Sequence, residues 1–192
     1  TLDGTLFPYT TLFRSIESTY GANPTNKCQE AFLKSKEDRL PNTFTQLYLH
    51  LVFATKCRMR FIHEENRIHL YEYMAGILNH HQQKPMIING MEDHIHILLG
   101  FKPDCNISDL VRDLKSVSSK HINDNQWIAG KFAWQSGYGG FTVSRSQRDS
   151  VYHYIENQEK HHEHKSFRQE FLELLEAHGI TYDEKYVFEK IE

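Results

Sequence analysis

The chain has 192 residues, with 22 Lys and Arg against 25 Asp and Glu, a net charge of −3 with histidine neutral, 13 His and 3 Cys. At 39% hydrophobic and 12% aromatic it can bury a core, which excludes wholesale disorder. No run approaches the roughly 20 apolar residues of a membrane span, and no signal peptide opens the chain. The cysteines (Cys28, Cys57 and Cys105) are odd in number and far apart, so they form neither a disulfide framework nor a CxxC metal knuckle, and a reducing cytoplasm is expected. The net charge argues mildly against nucleic acid as a partner, but it averages unlike parts. Residues 41–155 carry 12 basic and 10 acidic side chains, and residues 156–192 carry 5 and 10, so the acid excess lies at the C-terminal end.

Residues 1–40 read as a non-native or disordered segment. Residues 5–15, Thr5 to Ser15, match the translation of a widely used short-read sequencing adapter over the whole run, and residues 16–40 are polar without a clean period. From 41 to 190 the chain reads as one domain. In Gln46 to Ala54, Leu47, Leu49, Leu51 and Phe53 alternate with Gln46, Tyr48, His50 and Val52, which predicts a strand. Glu64 to Gln83 places Ile68, Tyr71, Ala75 and Leu78 at helical spacing, with Glu64 and Glu65 in the first turn and Pro85 as its stop. Met86 to Ile88 is a short strand closed by an Asn89-Gly90 turn, and His94 to Leu99 is a mostly apolar, central strand. Ser108 to Asn123 is a second helix with Leu110, Leu114 and Val117 inward and Arg112, Lys115 and Lys120 largely off that stripe. Extended pieces at Lys131–Gln135 and Phe141–Ser144 flank a Gly-rich stretch, Gly137 to Gly140. A third helix runs from a capping box at Ser146–Asp149 to about His162, and a fourth from Phe167 to His178. The order predicts an α+β fold, a ferredoxin-like (RRM-like) antiparallel sheet with helices on one face, followed by C-terminal helices.

Two short motifs carry chemistry. In His94-Ile95-His96, side chains two apart on a strand share a face, so both imidazoles converge where they can chelate one divalent metal. Taken alone, the same residues also read as two polar groups on an exposed sheet face. In Tyr154-Ile-Glu-Asn-Gln158 an i, i+4 pair presents a phenol and an amide together, while Tyr152 turns away as a packing or stacking residue. An isolated pair of this kind reads more readily as a core tyrosine and a solvated glutamine. Phe132 and Trp134 read as base-stacking or core residues, Trp134 as core. Asp93 reads as an orienter of His94 or a turn end, and His161 and His162, one turn beyond Gln158 and within reach of a phosphate, read as solvated.

The combination resembles the single-tyrosine HUH transposases of the smallest single-strand insertion sequences, the family that includes REP-associated tyrosine transposases. The resemblance extends through Tyr48–Lys56, Asn89–Ile97, Asp109–Lys115, Phe132–Gln135 and Tyr154–His162. It implies that His94 and His96 bind a divalent metal (Mg²⁺, with Mn²⁺ possible) with Gln158 as third ligand. It also implies that Tyr154 is the nucleophile of a DNA transposase, cleaving and rejoining single-stranded DNA at hairpin ends through a 5′-phosphotyrosine, without ATP. Such proteins work as homodimers in which the tyrosine helix of one subunit completes the other's histidine site, and the Gly137–Gly140 stretch would be the mobile connection. Arg112, Lys115 and Lys120, and a second patch of Lys56, Arg58 and Arg60, are candidates for DNA contact. A domesticated relative acting on palindromic repeats would carry the same site. The rivals from other classes are a non-catalytic single-strand-binding module and a metal-dependent hydrolase that needs no tyrosine.

Overall fold

The computed structural model describes residues 44–188, so the expectations for residues 1–40 lie outside the described residues. Four strands, β1 (Leu47–Ala54), β2 (Lys84–Gly90), β3 (His94–Phe101) and β4 (Gly139–Val143), form one antiparallel sheet in the order β2-β3-β1-β4. Helix α1 (Glu64–His80) connects β1 to β2, and α2 (Ile107–Asp124) connects β3 to β4. Then come α3 (Arg148–Glu156), α4 (Gln158–His162), α5 (Phe167–Ala177) and α6 (Glu184–Val187). The predicted sheet is thus present, with the histidine strand in its centre.

Strand alternation divides the chemistry between two faces. Leu49, Leu51 and Phe53 of β1 and Ile95, Ile97 and Leu99 of β3 point to one face, where Leu70, Met74 and Leu78 of α1 and Leu110 and Leu114 of α2 complete the main core. Registration sets Ala54 opposite His94 and Val52 opposite His96, so those residues share the other face. There Val52, Ala54, Phe141, Phe167 and Leu175 form a second apolar cluster, and Leu98, Val143 and Ile155 a third. The C-terminal helices roof the histidine face.

Several local expectations are corrected. Ile68 is 62% exposed, because the buried stripe of α1 is Leu70, Tyr71, Met74 and Leu78, one step round the helix. On α2, Ser118 faces inward in place of Val117, because its hydroxyl is satisfied by the Leu114 carbonyl and by the Trp134 indole N–H. Helix α1 ends at His80 and the left-handed Gln82 turns the chain, while Pro85 sits in edge strand β2 at a register shift, where a missing N–H costs nothing. Asn89 and Gly90 are not a turn. They pair with His96 and Ile95, and the reversal falls on Met91–Asp93. Lys131–Gln135 touches the sheet through one bridge, Thr55 to Trp134, rather than forming a strand. Ser144, not Ser146, accepts from the Gln147 N–H ahead of α3. The long third helix is broken after Glu156, and Gln158 begins a new one. Gly139 and Gly140 lie within β4, paired with Val52 and Leu51, so they are held in the sheet rather than forming a free hinge. Phe132 and Trp134 are core residues. No helix among the described residues is long and apolar enough to cross a membrane, and Cys57 and Cys105 are free thiols.

Candidate active site

His94 and His96 are fully buried under the C-terminal helices. The chain can place two imidazoles there because each has its Nδ1 occupied. His94 Nδ1 donates to Asp93 Oδ1 at 2.7 Å, and His96 Nδ1 shares a hydrogen bond of 3.0 Å with Nε2 of the buried His50 on β1. Burial opposes the Asp93 charge, but the hydrogen bond from His94 outweighs it and leaves that carboxyl below its ordinary range. Burial lowers His50 well below the usual histidine value, with the neighbouring His96 adding to the effect. Burial likewise takes His96 down to about 4 against the pull of Glu170, so both rings are neutral at pH 7. The ring of Phe167 stacks on His94 at 4.1 Å and fixes its plane.

The helix break brings the second motif to the same place. Asn89 Nδ2, from the end of β2, donates to the carbonyls of Ile155 and Glu156 at 2.9 and 3.1 Å, tying the end of α3 to the histidine sheet. Tyr154 then stands edge-on to His96 with ring centres 6.0 Å apart, in the same chain. Gln158 is buried, with Oε1 3.4 Å from His94 Nε2 and 3.1 Å from His162 Nε2. His94, His96, Tyr154 and Gln158 are therefore all brought together, and one chain assembles them.

Three further residues enter the site that the motifs did not single out for it: His50, His162 and Glu170. Glu170 is 2% exposed. Its Oε1 accepts hydrogen bonds from the Tyr154 hydroxyl and, at 3.0 Å, from Gln158 Nε2. Its Oε2 lies 3.7, 3.5 and 3.0 Å from Nε2 of His94, His96 and His162. Burial disfavours the Glu170 charge, yet the facing imidazoles of His162 and His96 overcome it and hold the carboxyl far below its ordinary range. Burial and that carboxylate together raise the Tyr154 phenol well above its usual value. His162, read from sequence as solvated, is corrected: its side chain is 8% exposed, and its Nδ1 donates to the Lys165 carbonyl at 2.7 Å. His161 packs edge-on to Tyr154 with ring centres 5.1 Å apart. A signal for Glu170 was present in the sequence. It falls three residues after Phe167 on the apolar face of a helix, where an uncompensated carboxylate would not be buried.

The donor set fits a divalent cation. Every histidine around Glu170 Oε2 has its other ring nitrogen engaged, by a carboxylate, an imidazole or a carbonyl, as metal-ligating histidines do. His96 Nε2 and Glu170 Oε2 are buried without a hydrogen-bond partner. His94, His162 and Glu170 each offer a ligand atom within 4.8 Å of the others'.

The basic candidates separate. Arg112 is paired with Asp109 and Asp113, and Lys120 with Asp124. The Lys115 ammonium donates to the Gln135 and Gly137 carbonyls, holding the loop that leads into β4. All three lie on α2, across the sheet from the histidines. Lys56, Arg58 and Arg60 follow β1 directly, at the end where Ala54 pairs with His94.

Comparison with known proteins finds relatives of this chain. The chain is 28% identical over 120 residues, 59% of its length and 84% of the relative's, to the ISDra2 transposase TnpA of Deinococcus radiodurans. A crystal structure of a transposase candidate from the same organism is 29% identical, with a TM-score of 0.48, covering 62% of this chain and 96% of that one. A REP-associated tyrosine transposase bound to a REP hairpin is 13% identical, with a TM-score of 0.48, covering 82% of this chain and 94% of that one. The family described as IS200-like transposase matches residues 43–158, and the chain belongs to it.

Proposed function

We propose that the protein cuts and rejoins single-stranded DNA, with Tyr154 as nucleophile and His94, His96 and Gln158 as ligands of a divalent cation. The observation that carries this reading is the convergence, in one chain, of two buried Nε2 atoms, the Gln158 amide oxygen and the Tyr154 hydroxyl around Glu170. The phenol oxygen attacks the scissile phosphorus, the bond to the 3′-oxygen breaks, and that oxygen leaves with a proton as a free 3′-hydroxyl. The 5′-phosphotyrosine keeps the phosphoester energy, so rejoining by a 3′-hydroxyl needs no ATP. Because the phenol is held protonated, its proton leaves as the bond to phosphorus forms, and the acceptor already in contact with it is Glu170 Oε1. A divalent ion at the histidines would supply charge neutralisation at the phosphate. Imidazole donors suit Mn²⁺ better than Mg²⁺, although Mg²⁺ is the more abundant choice for phosphate chemistry.

The substrate class that the family implies is hairpin-bearing single strands from the ends of the protein's own locus. Lys56, Arg58 and Arg60 are proposed as backbone contacts ahead of Arg112, Lys115 and Lys120 because they border the site, although Arg60 also meets Glu92 at 3.7 Å. A homodimer is compatible with this site, but the tyrosine acts beside its own chain's histidines. Incubating the protein with Mn²⁺ or Mg²⁺ and 5′- or 3′-labelled hairpin DNA tests the reading. A covalent protein–DNA adduct is expected, and it should vanish in Tyr154→Phe. Cleavage that survives this substitution would mark a hydrolase, and binding without cleavage a non-catalytic module.

A further inference from the structure

Glu170 and His162 lie beyond residue 158, where the family match ends, so their roles have to be read from this chain alone. In His94 and His162 the Nδ1–H is committed to an oxygen acceptor, Asp93 or the Lys165 carbonyl. Their Nε2 atoms face Glu170 Oε2 and Gln158 Oε1. A divalent cation at the centre of these buried nitrogens and oxygens would be held by all of them. The spacing is suitable. Ligands about 2.1 Å from one ion lie about 3.0 Å apart at right angles and about 3.4 Å apart in a tetrahedron. Glu170 Oε2 lies 3.0 to 3.7 Å from the three Nε2 atoms.

We propose that Glu170 and His162 are further ligands of the divalent ion, joining His94 and His96, and that Glu170 is a bridge. Its Oε2 binds the ion while its Oε1 holds the Tyr154 hydroxyl. The carboxylate thereby fixes the nucleophile at a set distance from the ion. Gln158 Nε2, donating to Oε1, orients that bridge. The proposal rests on the metal-dependent reading above and adds one imidazole and one carboxylate to its His94, His96 and Gln158 donors.

The test uses Mn²⁺ alone, without DNA. Wild type, His94→Ala, Glu170→Gln and His162→Ala are titrated with Mn²⁺ by calorimetry, and the imidazole nitrogens bound to Mn²⁺ are counted by pulsed electron paramagnetic resonance. Wild type should bind one ion through three imidazoles, and His162→Ala should retain two. Glu170→Gln and His162→Ala should each weaken binding by at least about 100-fold, beyond the roughly 10–100-fold expected of a residue that only orients a ligand. If His94→Ala abolishes binding while Glu170→Gln and His162→Ala bind like wild type, the proposal is overturned and the metal-dependent reading stands. If wild type binds no Mn²⁺, or His94→Ala binds normally, both fall. Should Glu170→Gln lose its circular-dichroism fold, His162→Ala and the nitrogen count decide the question.

Discussion

His50 makes no contact with the proposed ion, yet replacing it by leucine should weaken the site measurably. It is buried, neutral, and bonded through Nε2 to His96 Nδ1 at 3.0 Å. His96 is itself fully buried and its Nε2 lacks a partner, so after His50→Leu neither ring nitrogen would have a protein hydrogen bond. Leaving one buried donor or acceptor unsatisfied costs about 1–3 kcal/mol. Some of that cost falls on the fold. For a domain of this size each kcal/mol lowers Tm by about 2–4 °C, so a drop of about 2 °C up to at most about 12 °C is expected in circular-dichroism melts. The rest falls on ligand orientation. A lost outer partner of a ligating histidine reduces metal affinity by about 10–100-fold, read by Mn²⁺ calorimetry at neutral pH. His50→Gln, which can restore one hydrogen bond to Nδ1, should recover part of both effects. A His50→Leu protein with wild-type Tm and wild-type Mn²⁺ affinity would refute the reasoning, since it would mean His96 needs no orienting partner.

Mixing Tyr154→Phe protein with His94→Ala protein should not restore the covalent adduct, because each chain assembles its own tyrosine and histidines; a regained adduct in a denaturing gel would demonstrate exchange between subunits. Stability should fall on acidification from pH 6.5 to 4.5. Burial depresses His50 and His96, so in that window the unfolded chain binds more protons, and stability rises with pH by up to about 1.4 kcal/mol per pH unit for each ring. His162 is opposed by burial but raised overall by its hydrogen bond to Glu170, so its contribution is lost only above pH 6.5, outside that window. Thermal midpoints that stay flat from pH 6.5 to 4.5 would contradict this. Gly90→Ala would put a Cβ 2.2 Å from the His94 carbonyl oxygen, which is backbone and cannot swing aside. Prying β2 from β3 should cost about 1–3 kcal/mol, visible as a lower Tm together with weaker Mn²⁺ binding.

Much was legible in the sequence because the relevant physics is local. Period-two alternation in residues 47–54 and 94–99 determined which side chains share a sheet face, and so placed His94 and His96 together with Ile95 behind them. The i, i+4 spacing of Tyr154 and Gln158 likewise determined that phenol and amide would be presented together, although the helix between them is interrupted at Asn157. Helix faces were less secure. Whether Ile68 or Leu70, Val117 or Ser118, turned inward depended on a partner hydroxyl, indole or sheet surface that one-dimensional periodicity does not contain. The rest of the site was decided by tertiary structure alone. Asn89 anchors the tyrosine helix across 66 residues of sequence. His50 reaches His96 across 46, and Glu170 joins Tyr154 to the histidines. A buried carboxylate is tolerated only where charge and hydrogen bonds converge on it. Here that convergence required β1, β3, α3, α4 and α5 to be folded together.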